Sequence, residues 1–89
     1  MDYLIKNGSF EALVEQEKSR VKLQILEQYK ELRRDKGMTQ QQIADITGIK
    51  RTNIVRIESG KYVPTIEVLV KLAAALDMDL EIRLVKKRE

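Results

Sequence analysis

The sequence predicts an all-α domain of short helices, preceded by a helical extension and followed by one β-strand. Three observations support this prediction. The 89 residues suffice for one domain, and the composition, 43% hydrophobic with one Pro, no Trp and four aromatic residues, does not favour a β-sandwich. Apolar residues recur at helical spacing along most of the chain, and near its end the spacing changes to the alternation typical of a strand.

The first helix is expected to begin at Phe10, with Ser9 as its N-cap. Six polar residues at positions 15–20 interrupt the apolar pattern, so the segment is either one long helix with a solvated stretch or two helices bent near Ser19. Gly37 follows several basic residues and tolerates a positive φ, which suits a helix end. The apolar residues with helical spacing are Phe10, Leu13, Val14, Val21, Ile25, Leu26, Tyr29 and Leu32.

Two short helices are predicted next. Thr39 and Gln42 fit a capping box at the start of the first of them, which is expected to stop at Gly48. The second is expected to begin near Arg51, with Lys50 at the N-cap position. Lysine is a poor cap, so the start of this helix depends on its apolar residues instead.

A further helix is predicted after the N-cap Thr65, and a strand after that. Leu80, Ile82 and Leu84 alternate with charged residues, which is the strand pattern. A lone strand is not stable, so it needs the same strand of a second copy, residues 3–5, or the sheet edge of another protein. We expect pairing across a homodimer, because a two-fold copy is the simplest solution.

The composition also excludes several classes of protein. There is no cysteine and no histidine, which removes disulfides, thiolate nucleophiles, the commonest general base and the commonest metal ligand. We therefore expect no enzymatic activity, no cofactor and no metal site. Neither a membrane-spanning stretch of about 18 apolar residues nor a secretory signal is present, so the expected location is the cytoplasm.

The middle of the chain carries the functional signal. Ala44 is small where two helices would cross, Gly48 lies four residues later, and Ile54 and Ile57 follow at positions that would face inward. This spacing is typical of a helix-turn-helix. The net charge of the whole chain is +3, and residues 37–64 carry four basic and two acidic residues, so much of the basic surplus lies here.

The second helix of this pair offers side chains suited to reading DNA. An α-helix fits the major groove, where Arg bonds bidentately to guanine, Asn pairs with adenine and a Thr methyl contacts the thymine methyl. The residues of these types near the start of the helix are Arg51, Thr52, Asn53 and Arg56. The sequence therefore predicts a recognition helix that binds double-stranded DNA.

These features together resemble a known family. Residues from about 21 to 84 are similar to the Xre/Cro-like (lambda-repressor-like) DNA-binding domains, and the matching segments are MTQ at 38–40, TGI at 47–49, RIESGKYVP at 56–64 and KLAAAL at 71–76. The resemblance implies a bundle of four to five short helices around one core, acting as a dimer on a near-palindromic operator. We accordingly divide the chain into an extension (1–20), the DNA-binding domain (21–79), and a strand with a basic tail (80–89).

The resemblance also implies roles for individual residues. Gln40 falls where family members contact phosphate or buttress the recognition helix. Residues at positions that contact base edges or nearby phosphates are Lys50, Arg51, Thr52, Asn53 and Arg56. Lys61 and Tyr62 fall at positions that contact the DNA backbone. Arg33 and Glu58 match a structural ion pair, while Asp77 replaces a glycine that is common at its position.

A narrower resemblance concerns the order of the segments. A helical extension, then the DNA-binding domain, then the LEIRLV tail is similar to HigA-type antitoxins, which repress their own promoter and neutralise a small ribonuclease toxin of the RelE/HigB kind. The expected function is thus an autoregulating antitoxin, and the alternative is a stand-alone Xre-family regulator of a phage or mobile element. The apolar residues Phe10, Leu13 and Val14 are either part of the core or a toxin-binding surface.

Overall fold

A computed structural model describes residues 9–87, which form four α-helices. These helices are α1 (Phe10–Asp35), α2 (Gln40–Thr47), α3 (Arg51–Glu58) and α4 (Ile66–Ala75). Residues 1–8 and 88–89, and with them the suggested strand partner at residues 3–5 and the end of the basic tail, lie outside the described residues.

Helix α1 is one long helix of 26 residues, which decides between the two expected alternatives. Ser9 caps it as predicted, because its side chain accepts a hydrogen bond from the first turn. The polar run at residues 15–20 stays helical. Within it, Lys18 pairs with Glu15 at 2.7 Å and Arg20 with Glu17 at 2.9 Å, each three residues apart on the helix surface.

The turn between α2 and α3 follows from local chemistry. The capping box at the start of α2 is confirmed. The backbone N–H of Gln42 donates to Thr39 Oγ1 at 3.0 Å, and the backbone N–H of Thr39 donates to Gln42 Oε1 at 2.8 Å. Gly48 ends α2 with φ 78°, in the left-handed region that glycine adopts without steric cost. The chain then turns directly into α3.

The core lies where the four helices meet. Helix α2 packs against α3 and α4, and α1 packs against α3. The fully buried side chains have the inward positions that the spacing predicts, and the core cluster consists of Leu26, Tyr29, Ile43, Ala44, Ile54, Ile57, Leu72 and Leu76. The all-α helix-turn-helix bundle of the prediction is therefore confirmed.

The predicted C-terminal strand is wrong, and pairing of that strand across a dimer loses its basis. Residues 78–87 are not in a strand, and Leu84 is fully exposed. The physical reason is that alternation decides which side chains share a face, whereas a strand also requires hydrogen bonds from a partner strand, which residues 9–87 do not supply. Asp77 begins this segment with φ 59°, so it adopts the left-handed conformation in place of a glycine.

Residues 78–81 of the C-terminal segment line a groove together with Ile25 and Gln28 of α1. The hydrogen bond from Arg20 chiefly, and the positive charge of Lys87 less strongly, lower the pKa of Glu17. None of the four helices that residues 9–87 form could span a membrane. The same residues contain no group of three or more potential metal-ligating side chains.

Candidate nucleic-acid interface

Helix α3 has one buried and one exposed face. Ile54, Ile57 and Glu58 are its buried residues and fix it to the core. The opposite face is open to solvent, and its exposed residues are Arg51, Thr52, Asn53, Val55 and Arg56. The face of α3 that carries the hydrogen-bond donors therefore points to solvent, while the opposite face packs against the core.

The N-terminal end of α3 is electropositive. Lys50 is the N-cap residue, and its side chain makes no capping hydrogen bond. Lys50 and Arg51 add two exposed charges to the positive end of the helix dipole. Phosphate groups bind favourably at such a helix end.

A buried ion pair holds α3 against α1. Arg33 donates from Nε to Glu58 Oε2 and from Nη2 to Glu58 Oε1, both at 2.9 Å, and from Nη1 to the Met38 carbonyl oxygen at 2.9 Å. The two side chains are only 13% and 6% exposed. Gln40 Nε2 also donates to Glu58 Oε1, at 3.2 Å, and thereby ties the start of α2 to α3. This Arg33–Glu58–Gln40 network sets the position of α3.

Tyr29 lies at the edge of the network. Its hydroxyl oxygen is buried and makes no hydrogen bond of normal geometry within the described residues. Burial first, and then the nearby negative charge of Glu58, raise the pKa of Tyr29 above its ordinary value. The phenol therefore stays neutral inside the core.

The loop after α3 contacts both α1 and α3. Lys22 of α1 donates from Nζ to the Gly60 carbonyl oxygen at 2.9 Å. The guanidinium of Arg56 lies over the Tyr62 ring, 5.6 Å from its centroid, which is a cation–π contact. Lys61, between these two tethers, is exposed. These two contacts restrain the loop backbone on either side of Lys61.

Exposed charge on this surface is uniformly positive. Within residues 48–64 the basic residues are Lys50, Arg51, Arg56 and Lys61, all exposed, and the single acidic residue is Glu58. Since Glu58 is buried and neutralised by Arg33, it does not offset the surface charge. A polyanion approaching α3 would meet cations alone along this stretch.

The structure brings most of the predicted DNA-contacting residues to this one surface, from Lys50 through α3 to Tyr62. Gln40 is different, because its amide is directed at Glu58. Sequence reasoning missed Lys22 as a tether of the loop. Its position four residues before the buried Leu26 puts a cation on the inner face of α1, and that is the signal that could have found it.

Comparison with known proteins agrees with this geometry. A helix-turn-helix family model matches residues 30–82. This chain belongs to the helix-turn-helix family. It is a DNA-binding transcriptional regulator of helix-turn-helix type, and α2 and α3 are the two helices of the motif.

Similar proteins extend the comparison. An uncharacterized HTH-type transcriptional regulator of Archaeoglobus fulgidus is 36% identical over 52 residues, which are 58% of this chain and 74% of the relative. The cryptic phage CTXphi transcriptional repressor RstR of Vibrio cholerae is 39% identical over 59 residues, or 66% of this chain and 53% of RstR. A solved structure, a toxin-antitoxin module from Streptococcus pneumoniae, matches with a TM-score of 0.62 at 25% identity, covering 90% of this chain and 86% of the matched one.

Proposed function

We propose that this helix-turn-helix regulator is a sequence-specific repressor that binds a near-palindromic operator as a homodimer and reads it through α3. The observation that carries the proposal is the exposed donor set at the start of α3, held in place by the buried Arg33–Glu58–Gln40 network. Arg51, Thr52 and Asn53 are the proposed base-reading residues.

Further residues are proposed to position the duplex. Lys50, Arg56, Lys61 and Tyr62 surround the start and the end of α3, where phosphates on both sides of a major groove would lie. Contacts of this kind contribute affinity but no sequence information. Gln40 acts in this proposal by buttressing α3, as its hydrogen bond to Glu58 indicates.

Fluorescence anisotropy tests the proposal. A duplex from the region upstream of this gene is compared with a scrambled duplex of equal length, each at low and moderate salt. The proposal predicts tight binding to the native duplex that survives the higher salt. Weak binding to both duplexes that vanishes with salt would mean phosphate contacts alone, and the proposed sequence reading would be wrong.

Within this function, we propose the role of an antitoxin in a toxin–antitoxin pair. The supporting observation is the likeness to the Streptococcus pneumoniae module, which extends over 90% of this chain and therefore well beyond the 30–82 segment. The proposed partner is a RelE/HigB-like toxin. Co-expression with the product of the adjacent gene tests this role, because an antitoxin co-purifies with that product and relieves its toxicity.

A stand-alone repressor of a phage or mobile element is the second candidate. The likeness to RstR supports it, at 39% identity over 59 residues. Under this alternative, neither adjacent gene product would bind the chain or inhibit growth, while operator binding would persist. The same co-expression experiment therefore separates the two roles.

A further inference from the structure

The first half of α1 presents an apolar stripe outside the core. Phe10, Val14 and Val21 follow one side of the helix and are 49%, 43% and 51% exposed. The stripe leads into an open groove, where Val21 and Ile25 of α1 face Val63 of the loop after α3. Residues 81–87 of the C-terminal segment are themselves exposed.

Charged residues flank the stripe in a polarised order. On the side toward the groove, Glu11 and Glu15 occupy the first turns, and Lys18 and Lys22 occupy the next ones. Helical spacing puts these four residues along one edge of the stripe. One end of the edge is therefore acidic and the other is basic.

We propose that a second copy of this chain docks on the stripe, with its α1 antiparallel and the two-fold axis between residues 16 and 17. In this register Glu15 of each copy lies opposite Lys18 of the other, and Glu11 lies opposite Lys22. The charge pattern is self-complementary, as a two-fold interface requires.

The apolar residues fit the same register. Along the helix direction, Val14 and Val21 of one copy alternate with Val14 and Val21 of the other. Their side chains therefore interdigitate, as side chains do between packed helices. Phe10 of the second copy reaches the level of the groove formed by Val21, Ile25 and Val63. The two Glu17 side chains approach each other near the axis, and each already pairs with Arg20 of its own helix at 2.9 Å.

The arrangement also suits a two-half-site operator, and in that respect it rests on the proposed function. Two residues of α1 bind the chain around the end of α3: Lys22 donates to the Gly60 carbonyl oxygen and Arg33 to Glu58. The point midway between Lys22 and Arg33 along α1 lies about eleven residues from the two-fold axis. At 1.5 Å per residue, these midpoints in the two copies are about 33 Å apart along the helix direction, compared with the roughly 34 Å between successive major grooves.

Two charge reversals test the interface, with analytical ultracentrifugation of the full chain in the absence of DNA as the readout. Glu15→Lys makes the central four-charge cluster wholly basic, and Lys18→Glu makes it wholly acidic. We expect the wild type to dimerise, each variant alone to raise the dimer dissociation constant by about tenfold or more, and an equimolar mixture to form a heterodimer. Both variants lack the Glu15–Lys18 pair within their own helix, so only contacts between chains can restore association on mixing.

A matched control removes a similar pair elsewhere on the same helix. Glu27 pairs with Lys30 at 2.9 Å beyond the stripe, so Glu27→Lys should dimerise as the wild type does. Circular dichroism of every variant confirms that the helices are intact. A monomeric wild type, variants that dimerise normally, or a mixture that stays monomeric would each overturn the proposed interface, and the stripe would then be open to a toxin or another protein.

Operator binding, measured separately by anisotropy, distinguishes failure of this interface from failure of the proposed function. If the wild type binds the native duplex selectively while its dimer is insensitive to the charge reversals, the interface is wrong and the function stands. If the charge pattern controls dimerisation while no duplex is bound selectively, the interface stands and the function is wrong.

Discussion

Arg51 and Lys61 contribute positive charge to the same surface, but they have different positions on it. Arg51 lies in the first turn of α3, where a helix entering the major groove meets base edges. Lys61 lies in the loop beyond α3, next to Tyr62. One is proposed to specify sequence, and the other to hold the duplex.

Substitution of these two residues should therefore have different effects. We expect Arg51→Ala to reduce discrimination at one base pair of the operator by about 1–3 kcal/mol, because a bidentate contact to a base edge is lost. Lys61→Ala should weaken binding to all sequences alike and reduce the salt dependence by about one counterion. Anisotropy titrations with single-base-pair variants of the operator measure both. Uniform weakening by Arg51→Ala would show that it contacts phosphate.

The buried ion pair makes a prediction about stability. Glu58→Ala leaves the Arg33 guanidinium buried without its carboxylate, so we expect a loss of about 3–5 kcal/mol in the free energy of unfolding. Glu67→Ala is the control, because it removes a pair with Lys71 at an exposed site and should cost about 0–1 kcal/mol. Urea denaturation measures both, and equal losses would contradict a stabilising role of the network.

Tyr29 makes a prediction about pH. Its pKa is raised in the folded chain above the ordinary value of 10.0, so the unfolded chain releases this proton first as pH rises. The stabilising contribution is complete below pH 10 and is lost progressively above it. Tyr29→Phe should be about neutral at pH 7, since the hydroxyl makes no hydrogen bond of normal geometry with any of residues 9–87, and should lose less stability above pH 10. Identical slopes in denaturation midpoints against pH would contradict this.

At the scale of elements, the turn between α2 and α3 depends on one backbone conformation. Gly48 has φ 78°, and a Cβ there would meet no atom of residues 9–87 within 4 Å, so backbone strain decides the effect of a substitution. We expect Gly48→Ala to destabilise the fold by about 1–2 kcal/mol and Gly48→Asn by less, because Asn tolerates the left-handed region better. Thermal denaturation of the two variants measures this order, and a reversed order would count against the explanation.

The elements differ in how far the sequence could predict them. The caps at Ser9, Thr39 and Thr65 were predictable, because each depends on a side chain and an amide three residues away. Continuity of α1 through residues 15–20 was not decided by apolar spacing, since pairs between polar side chains support that stretch. The strand prediction failed because pairing is a property of two strands, and alternation describes only one.

The candidate site, too, could be predicted only in part. The exposed side of α3 follows from the inward spacing of Ile54 and Ile57, which leaves Arg51, Thr52 and Arg56 outside. The direction of the Gln40 side chain did not follow, because phosphate contact and buttressing of α3 both suit a glutamine at that position. The distance to Glu58 is tertiary information, and it favours buttressing.

At the scale of the whole molecule, the described chain is elongated, with extents of 48 × 24 × 20 Å. The first half of α1 lies outside the core cluster and carries the stripe proposed to bind a second copy. The proposed function joins the two parts, because one recognition helix reads half of a near-palindrome and a second copy supplies the other half.

Hydroxyl-radical footprinting of the full chain on its own upstream duplex shows whether two copies read the operator. We expect two protected half-sites on one face of the duplex, with centres about 10–10.5 base pairs apart. We also expect Arg51→Ala to weaken protection in both half-sites together. A single protected half-site, or even protection along the whole duplex, would contradict reading of the operator by two α3 helices of a homodimer.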